Sequence, residues 1–245
     1  MAKPMEMLRE KPELLIKQTR KGCLQEFLGC EAINEFKIFN NNDEAKSAPE
    51  NYHMYSLEES SFCCRFCCTN NREFKQTVWL GNKEAKQEIV MSMDRPFACP
   101  LQPCCCCNSA PFMQTIQFTD GGTAIGSAEF PCFICIPRMD VKDASGAVTH
   151  QVQMPSCCGG YCVDCMAEGC CNCKIPFYIY NPGDKPVNGT QIGKIVKLWR
   201  GLGTEMLTDA ASFQVEFPKD VDAAAKARLM GATFFINIQF FEKQE

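Results

Sequence analysis

From Glu35 to Phe217 the chain alternates apolar and polar residues in short runs with a period of two, the repeat of a half-buried strand. The runs are Phe36–Phe39, Tyr52–Leu57, Phe74–Leu80, Ile89–Met93, Phe112–Phe118, Val148–Met154, Phe177–Tyr180, Ile192–Leu198 and Ser212–Phe217. Turn-forming clusters separate them: NNND, NNRE, DGG, ASG, NPGD and VNG. Many short strands at this spacing predict an antiparallel barrel or sandwich, hence a mainly β fold. No linker long enough to divide the chain interrupts them. Residues 5–28 read differently, with Met5, Leu8, Leu14, Leu15, Ile16, Leu24, Phe27 and Leu28 spaced among charges in a roughly helical fashion. We therefore read residues 1–22 as a short helical or extended N-terminal segment and 23–245 as the domain proper.

The β pattern breaks after Phe217-Pro218. Lys219–Arg228 is Ala-rich and charged, which favours helix, and Asp220 and Asp222 suit the positive end of its dipole. Leu229–Phe241 is apolar on nearly all sides. As a helix it reaches about 20 Å, short of a bilayer core of about 30 Å. Extending it backwards brings in Lys226 and Arg228, each costing roughly 2.5–3.5 kcal/mol near the bilayer centre. A helix that is apolar all round but too short to span is expected to be buried inside protein.

Composition narrows the functions. With 46% apolar residues the 245-residue chain can build a large core. A net charge of −4 argues against nucleic acid as a partner and against a polybasic membrane anchor. Only two histidines, His53 and His150, are present, both in strand-like runs, and no nucleophile–base pair or phosphate cradle is recognisable. No enzyme activity is expected. The opening MAKPMEMLREKPELL carries charges throughout and no apolar signal-peptide core, so a cytoplasmic setting with reduced thiols is expected.

Those thiols are the main chemical feature. Twenty cysteines fall mostly in clusters, and four stand side by side at Cys104–Cys107. Adjacent side chains diverge, so such a run cannot form an ordinary disulfide framework. Two chemistries remain: thioester attachment of fatty acids, or thiolate ligation of a metal. Several acyl chains would hold a soluble domain to a membrane where one would not. Zinc is the alternative, because Cys64/Cys67, Cys162/Cys165 and Cys170/Cys173 have a spacing that lets two thiolates grip one tetrahedral ion, as do Cys104/Cys107 and Cys132/Cys135.

Taken in order, several short motifs resemble the phospholipid scramblase family. They are Cys-Cys-x2-Cys-Cys at 63–68, Asp94-Arg95-Pro96 before the cysteine run, Gly193-Lys194-Ile195, Trp199, Thr208-Asp209-Ala210, Phe213, Phe217-Pro218, Asp220, Met230-Gly231-Ala232 and Phe240-Phe241-Glu242. The resemblance implies a tubby-like fold, a closed antiparallel barrel around a central hydrophobic C-terminal helix. It implies a lipid-anchored, cytoplasm-facing protein that moves phospholipids in both directions between leaflets when calcium rises, with palmitate on Cys104, Cys105, Cys106 and Cys107. In that family a twelve-residue segment resembles a calcium loop, and here it falls on Asp209–Asp220. Asp209, Ser212, Glu216 and Asp220 are the candidate ligands. The third position is Ala211 and the sixth is Gln214, so calcium binding should be weak. Two other roles fit the residues: a structural or interaction subunit of a larger assembly, and a lipid-binding sensor.

Overall fold

The computed structural model describes residues 4–19, 33–60, 72–85, 87–97, 115–131, 138–154, 174–184, 190–198 and 211–241. Among these are twelve strands: β1 (Glu13–Gln18), β2 (Glu35–Phe39), β3 (Met54–Glu59), β4 (Phe74–Leu80), β5 (Ile89–Arg95), β6 (Thr115–Asp120), β7 (Thr123–Glu129), β8 (Arg138–Asp143), β9 (Val148–Gln153), β10 (Lys174–Tyr180), β11 (Gly193–Leu198) and β12 (Ser212–Glu216). Each pairs antiparallel with its neighbour in sequence, and β1 pairs with β12 to close the barrel. A short helix α1 (Asn42–Ser47) lies between β2 and β3, a 3-10 turn (Pro4–Leu8) precedes β1, and helix α2 (Ala223–Ile236) follows β12, continued by a π turn (Asn237–Phe241).

Alternation decides which side chains face the lumen. Leu14 and Ile16 of β1, Phe36 and Ile38 of β2, Met91 and Met93 of β5, and Phe213 and Val215 of β12 join one core. The expected C-terminal helix is that core's centre. From Leu229 to Ile238 every α2 and π-turn residue is buried, matching an element that is apolar all round. Among the described residues no helix is long and apolar enough to cross a membrane.

The helix begins with Asp222, whose carboxylate accepts from the Ala225 N–H at 2.6 Å. Its two early cations find carbonyl partners inside the protein. Lys226 Nζ donates to the carbonyls of Arg9 and Lys11, each at 2.6 Å, and lies over the Phe217 ring. Arg228 Nη1 donates to the Ile125 carbonyl at 3.0 Å. At the other end Phe235 packs on Phe130, Phe240 on Phe130 and Phe177, and Phe241 on Phe177 and Phe213. Arg95 stands over Phe235 and Lys197 over Phe241, cations placed at the negative end of the helix dipole.

Within the N-terminal segment, read as helical or extended, the helical spacing does not hold over Glu13–Gln18, and residues 20–28 lie outside the described residues. Its first part is the 3-10 turn, but Glu13–Gln18 is a strand. Leu14 and Ile16 face the lumen while Leu15 points outward into a small cluster with Phe39 and Ala45, so three successive apolar residues are buried in an extended chain. Burial on both sides hides the period of two. Strands β7 and β8 are additions to the predicted set.

Where helix meets wall, small residues are required. A Cβ on Gly231 would lie 2.5 Å from Phe118 Cε1 and 3.0 Å from the Met91 methyl. Gly231→Leu is expected to destabilise the protein by roughly 1–3 kcal/mol or more through overpacking. Urea unfolding followed by tryptophan fluorescence checks this, and a midpoint equal to the parent's would mean that the helix is not held against β6.

Candidate functional site

An up-and-down barrel places successive connections at alternate ends. One rim carries the connections 40–53, 81–88, 121–122, 144–147, 181–192 and 217–222. The other carries the stems of 19–34, 60–73, 96–114, 130–137, 154–173 and 199–211. All twenty cysteines belong to this second set, and none to the first. The cysteine residues themselves lie outside the described residues, including the acylation candidates Cys104, Cys105, Cys106 and Cys107 and the zinc candidates Cys64, Cys67, Cys162, Cys165, Cys170 and Cys173. The stems are described, and they leave and re-enter the barrel at one end. Those of 60–73 and 154–173 stand on opposite walls, six strands apart. The segment Pro96–Gln114 contains no charged residue, and Phe97 at its start is 51% exposed.

Beneath that rim a buried polar network ties three of the stems together. Glu58 shares the lumen-facing parity of Met54 and Ser56 and is 0% exposed at its side chain. A bare carboxylate there would be costly. Arg72 answers it with two bonds, Nε to Oε1 at 2.8 Å and Nη2 to Oε2 at 2.9 Å. Asn34 Nδ2 and Ser60 Oγ each donate to the same carboxylate at 2.6 Å. Gln18 donates to Asn34 at 2.7 Å and accepts from the Ala211 N–H at 2.9 Å. Thus the ends of β1 and β3 and the residues just before β2, β4 and β12 are cross-linked. Burial alone would raise the Glu58 pKa, but the bond and charge of Arg72, with Ser60 and Asn34, outweigh it and hold the carboxyl below its ordinary 4.5. The sequence names Arg72 in no motif; the only signal is the inward parity of Glu58.

The calcium candidates take ordinary strand and turn positions. Ser212 and Glu216 occupy outer-facing places on β12, with Phe213 and Val215 between them turned to the core. Four residues of extended chain set them about 13 Å apart, too far to ligate one ion together at calcium–oxygen distances near 2.4 Å. Glu216 instead pairs with Lys194 Nζ at 3.1 Å across to β11. Asp220 sits in the turn before α2 at φ 59, exposed, and Asp209 lies outside the described residues. Among the described residues no group of three or more His, Cys, Asp or Glu side chains converges to hold a metal.

The two histidines have separate settings. His53 Nε2 is 2.6 Å from Glu44 Oε1, beside α1, and burial there is outweighed by the His53 bond, so that the Glu44 carboxyl lies low. His150 faces the lumen on β9. Burial, and then the charge of Arg228, push it down to about 4, so it is neutral in the folded protein.

The Scramblase family model matches residues 1–243, and the chain belongs to this family. Its relatives include phospholipid scramblase 2 of Bos taurus, 30% identical over 242 residues, which cover 97% of this chain and 71% of the relative. Phospholipid scramblase 1 of Homo sapiens is 28% identical over 239 residues, 97% of this chain and 65% of its own. Phospholipid scramblase 2 of Homo sapiens is 28% identical over 190 residues, covering 77% and 56%. The chain therefore spans between about half and seven tenths of the lengths of these relatives. No solved structure matches it. The family resemblance carried by the short motifs is borne out.

Two buried groups set the acid response. Because the folded pKa of His150 is depressed from 6.5 to about 4, the unfolded chain takes up the proton first, and stability falls as pH drops through that window. The stabilisation from Glu58 is complete above its ordinary 4.5 and is lost as pH falls further through its lowered value. Circular dichroism at graded pH should show the first loss reduced in His150→Gln. Glu58→Gln, which leaves Arg72 buried without its counter-charge, should cost roughly 3–5 kcal/mol at pH 7.

Proposed function

We propose that this chain is a phospholipid scramblase-like protein, acylated on Cys104, Cys105, Cys106 and Cys107, that stands on a cytoplasm-facing membrane with its cysteine-bearing rim toward the bilayer. Its activity is calcium-responsive, bidirectional movement of phospholipids between leaflets, without covalent chemistry on the lipid. The observation that supports this most is the gathering of every cysteine-bearing connection at one end of a closed barrel. Two or more acyl chains at one rim give firm attachment and also fix the orientation of the domain. The uncharged segment Pro96–Gln114, with Phe97 exposed at its start, suits the same surface.

The lumen is not the route for lipid in this reading. Leu229, Met230, Ala232, Phe235 and Ile236 fill it and are fully buried. Headgroups would follow the outer wall where it meets a disturbed bilayer. The filled lumen also favours a second reading: a rigid, membrane-tethered lipid-binding or docking module that does not move lipid. Calcium response is assigned to the carboxylates Asp209 and Asp220 of the 209–220 segment, and no step is routed through the ion.

Reconstitution of the protein, with its native lipidation, into liposomes carrying labelled lipid in both leaflets separates the two. Expected is calcium-stimulated loss of inner-leaflet label, reduced severalfold in Asp209→Ala and Asp220→Ala. Replacing Cys104–Cys107 together by serine should release the protein from the vesicles. Retained anchoring with no leaflet exchange would replace the scramblase reading by the tethered module.

A further inference from the structure

Outside the lumen, near the cysteine-bearing rim, the wall formed by β3 to β6 carries a cavity of about 630 Å³. That volume lies within the range of small-molecule sites. A lateral row of outward-facing residues crosses it: Glu59 on β3, Lys75 on β4, Asp94 on β5 and Gln117 on β6, each opposite the next in register. Glu73 adds a third carboxylate and Pro96 supplies apolar surface, while Phe74 is buried in the lumen core. The second cation, Arg95, has its guanidinium turned inward over the Phe74 and Phe235 rings. Lys75 is thus the cation that serves the cavity.

Cross-strand neighbours of opposite charge ordinarily pair. Among the described residues Lys75 nevertheless makes no ion pair with Glu59 or Asp94, and all three side chains are exposed. Nor do the three carboxylates converge as a metal site would. A row of acid, base and acid, open and unpaired, complements a ligand that carries both signs a short distance apart. Lys75 stands one strand spacing, about 4.8 Å, from each acid.

We propose that this cavity binds a phosphoethanolamine group, with Lys75 on the phosphate and the neighbouring Asp94 on the ammonium. A primary ammonium brings hydrogen-bond donors for that carboxylate. A quaternary ammonium would call for an aromatic cage, and the one aromatic residue at the cavity, Phe74, is buried in the lumen core. A serine headgroup brings a further carboxylate into a cavity that already holds three. The group can reach the site as a lipid headgroup or as a free compound. The lipid form rests on the scramblase-like reading; the binding itself does not.

The test titrates the full chain by calorimetry with soluble phosphoethanolamine, phosphocholine and phosphoserine. It then measures flotation with phosphatidylcholine vesicles lacking or containing phosphatidylethanolamine. Lys75→Gln and Asp94→Asn alter exposed side chains and should fold as the parent does; Lys219→Gln, at the opposite rim, is the control. Expected is saturable phosphoethanolamine binding, about tenfold tighter than for the other two headgroups and weakened about tenfold in either variant but not in the control. Vesicle binding that rises with phosphatidylethanolamine and is lost in the variants assigns the site to lipid. Binding of the soluble group without that rise assigns it to a free compound. Absence of saturable binding, equal affinity for all three headgroups, or affinity unchanged in both variants overturns the proposal. Leaflet exchange without headgroup binding would sink this site and leave the scramblase reading standing, and binding without exchange does the reverse.

Discussion

A barrel of twelve strands is too wide to fill with its own side chains, and that constraint governs the rest of the molecule. Eight strands enclose a space that side chains can pack; twelve leave room for a helix about 10 Å across. The occupant must be apolar on every side, since no side of it meets water, and α2 is so from Leu229 to Ile236. Burying Leu229, Met230, Phe234, Phe235 and Ile236 contributes on the order of 1.5–3 kcal/mol each, of which an empty lumen would forfeit the larger part. Where the occupant touches the wall the wall gives way: Gly126 on β7 admits Arg228, and Gly231 on the helix admits Phe118.

The charges of the helix obey the same constraint. Lys226 and Arg228 would expel an ordinary segment from a core, yet both lie near the helix start, where the carbonyls of Arg9, Lys11 and Ile125 are within reach. The 3-10 turn before β1 therefore belongs to the core assembly as a cap for the helix. At the opposite end the Glu58–Arg72 pair and its amide neighbours play the corresponding part for the strand stems.

Much of this was legible in the sequence. Phe74–Leu80 was bounded as the structure has it, and the buried C-terminal helix followed from its length and uniform polarity. Strand β1 was hidden because Leu15 is roofed from outside by Phe39 and Ala45, which removes the alternation that marks a strand. Strand β7, TAIGSAE, was missed because its lumen face is cut down to Gly126 and Ala128. The cysteine clusters were visible, but their gathering at one rim depends on the parity of the connections, which needs all twelve strands. The row of Glu59, Lys75, Asp94 and Gln117 was equally out of reach, because it exists only through the registers of three strand pairs.

The pairing of β1 with β12 has a consequence for how the molecule is made. Gln214 lies opposite Leu15, so the seam of the barrel joins residues separated by nearly the whole chain, and the lumen's filling follows the seam in sequence. During synthesis the first eleven strands can pair in order as a growing meander, each with the one just made. Until β12 and α2 are released, that sheet is open, with β1 and β11 as free edges and a long apolar surface uncovered. Closure and filling must then occur together, once β12 and α2 have both emerged. The nascent sheet is at its most aggregation-prone just before that step, and a chain cut short before β12 would present a sheet with two sticky edges in place of a smaller barrel.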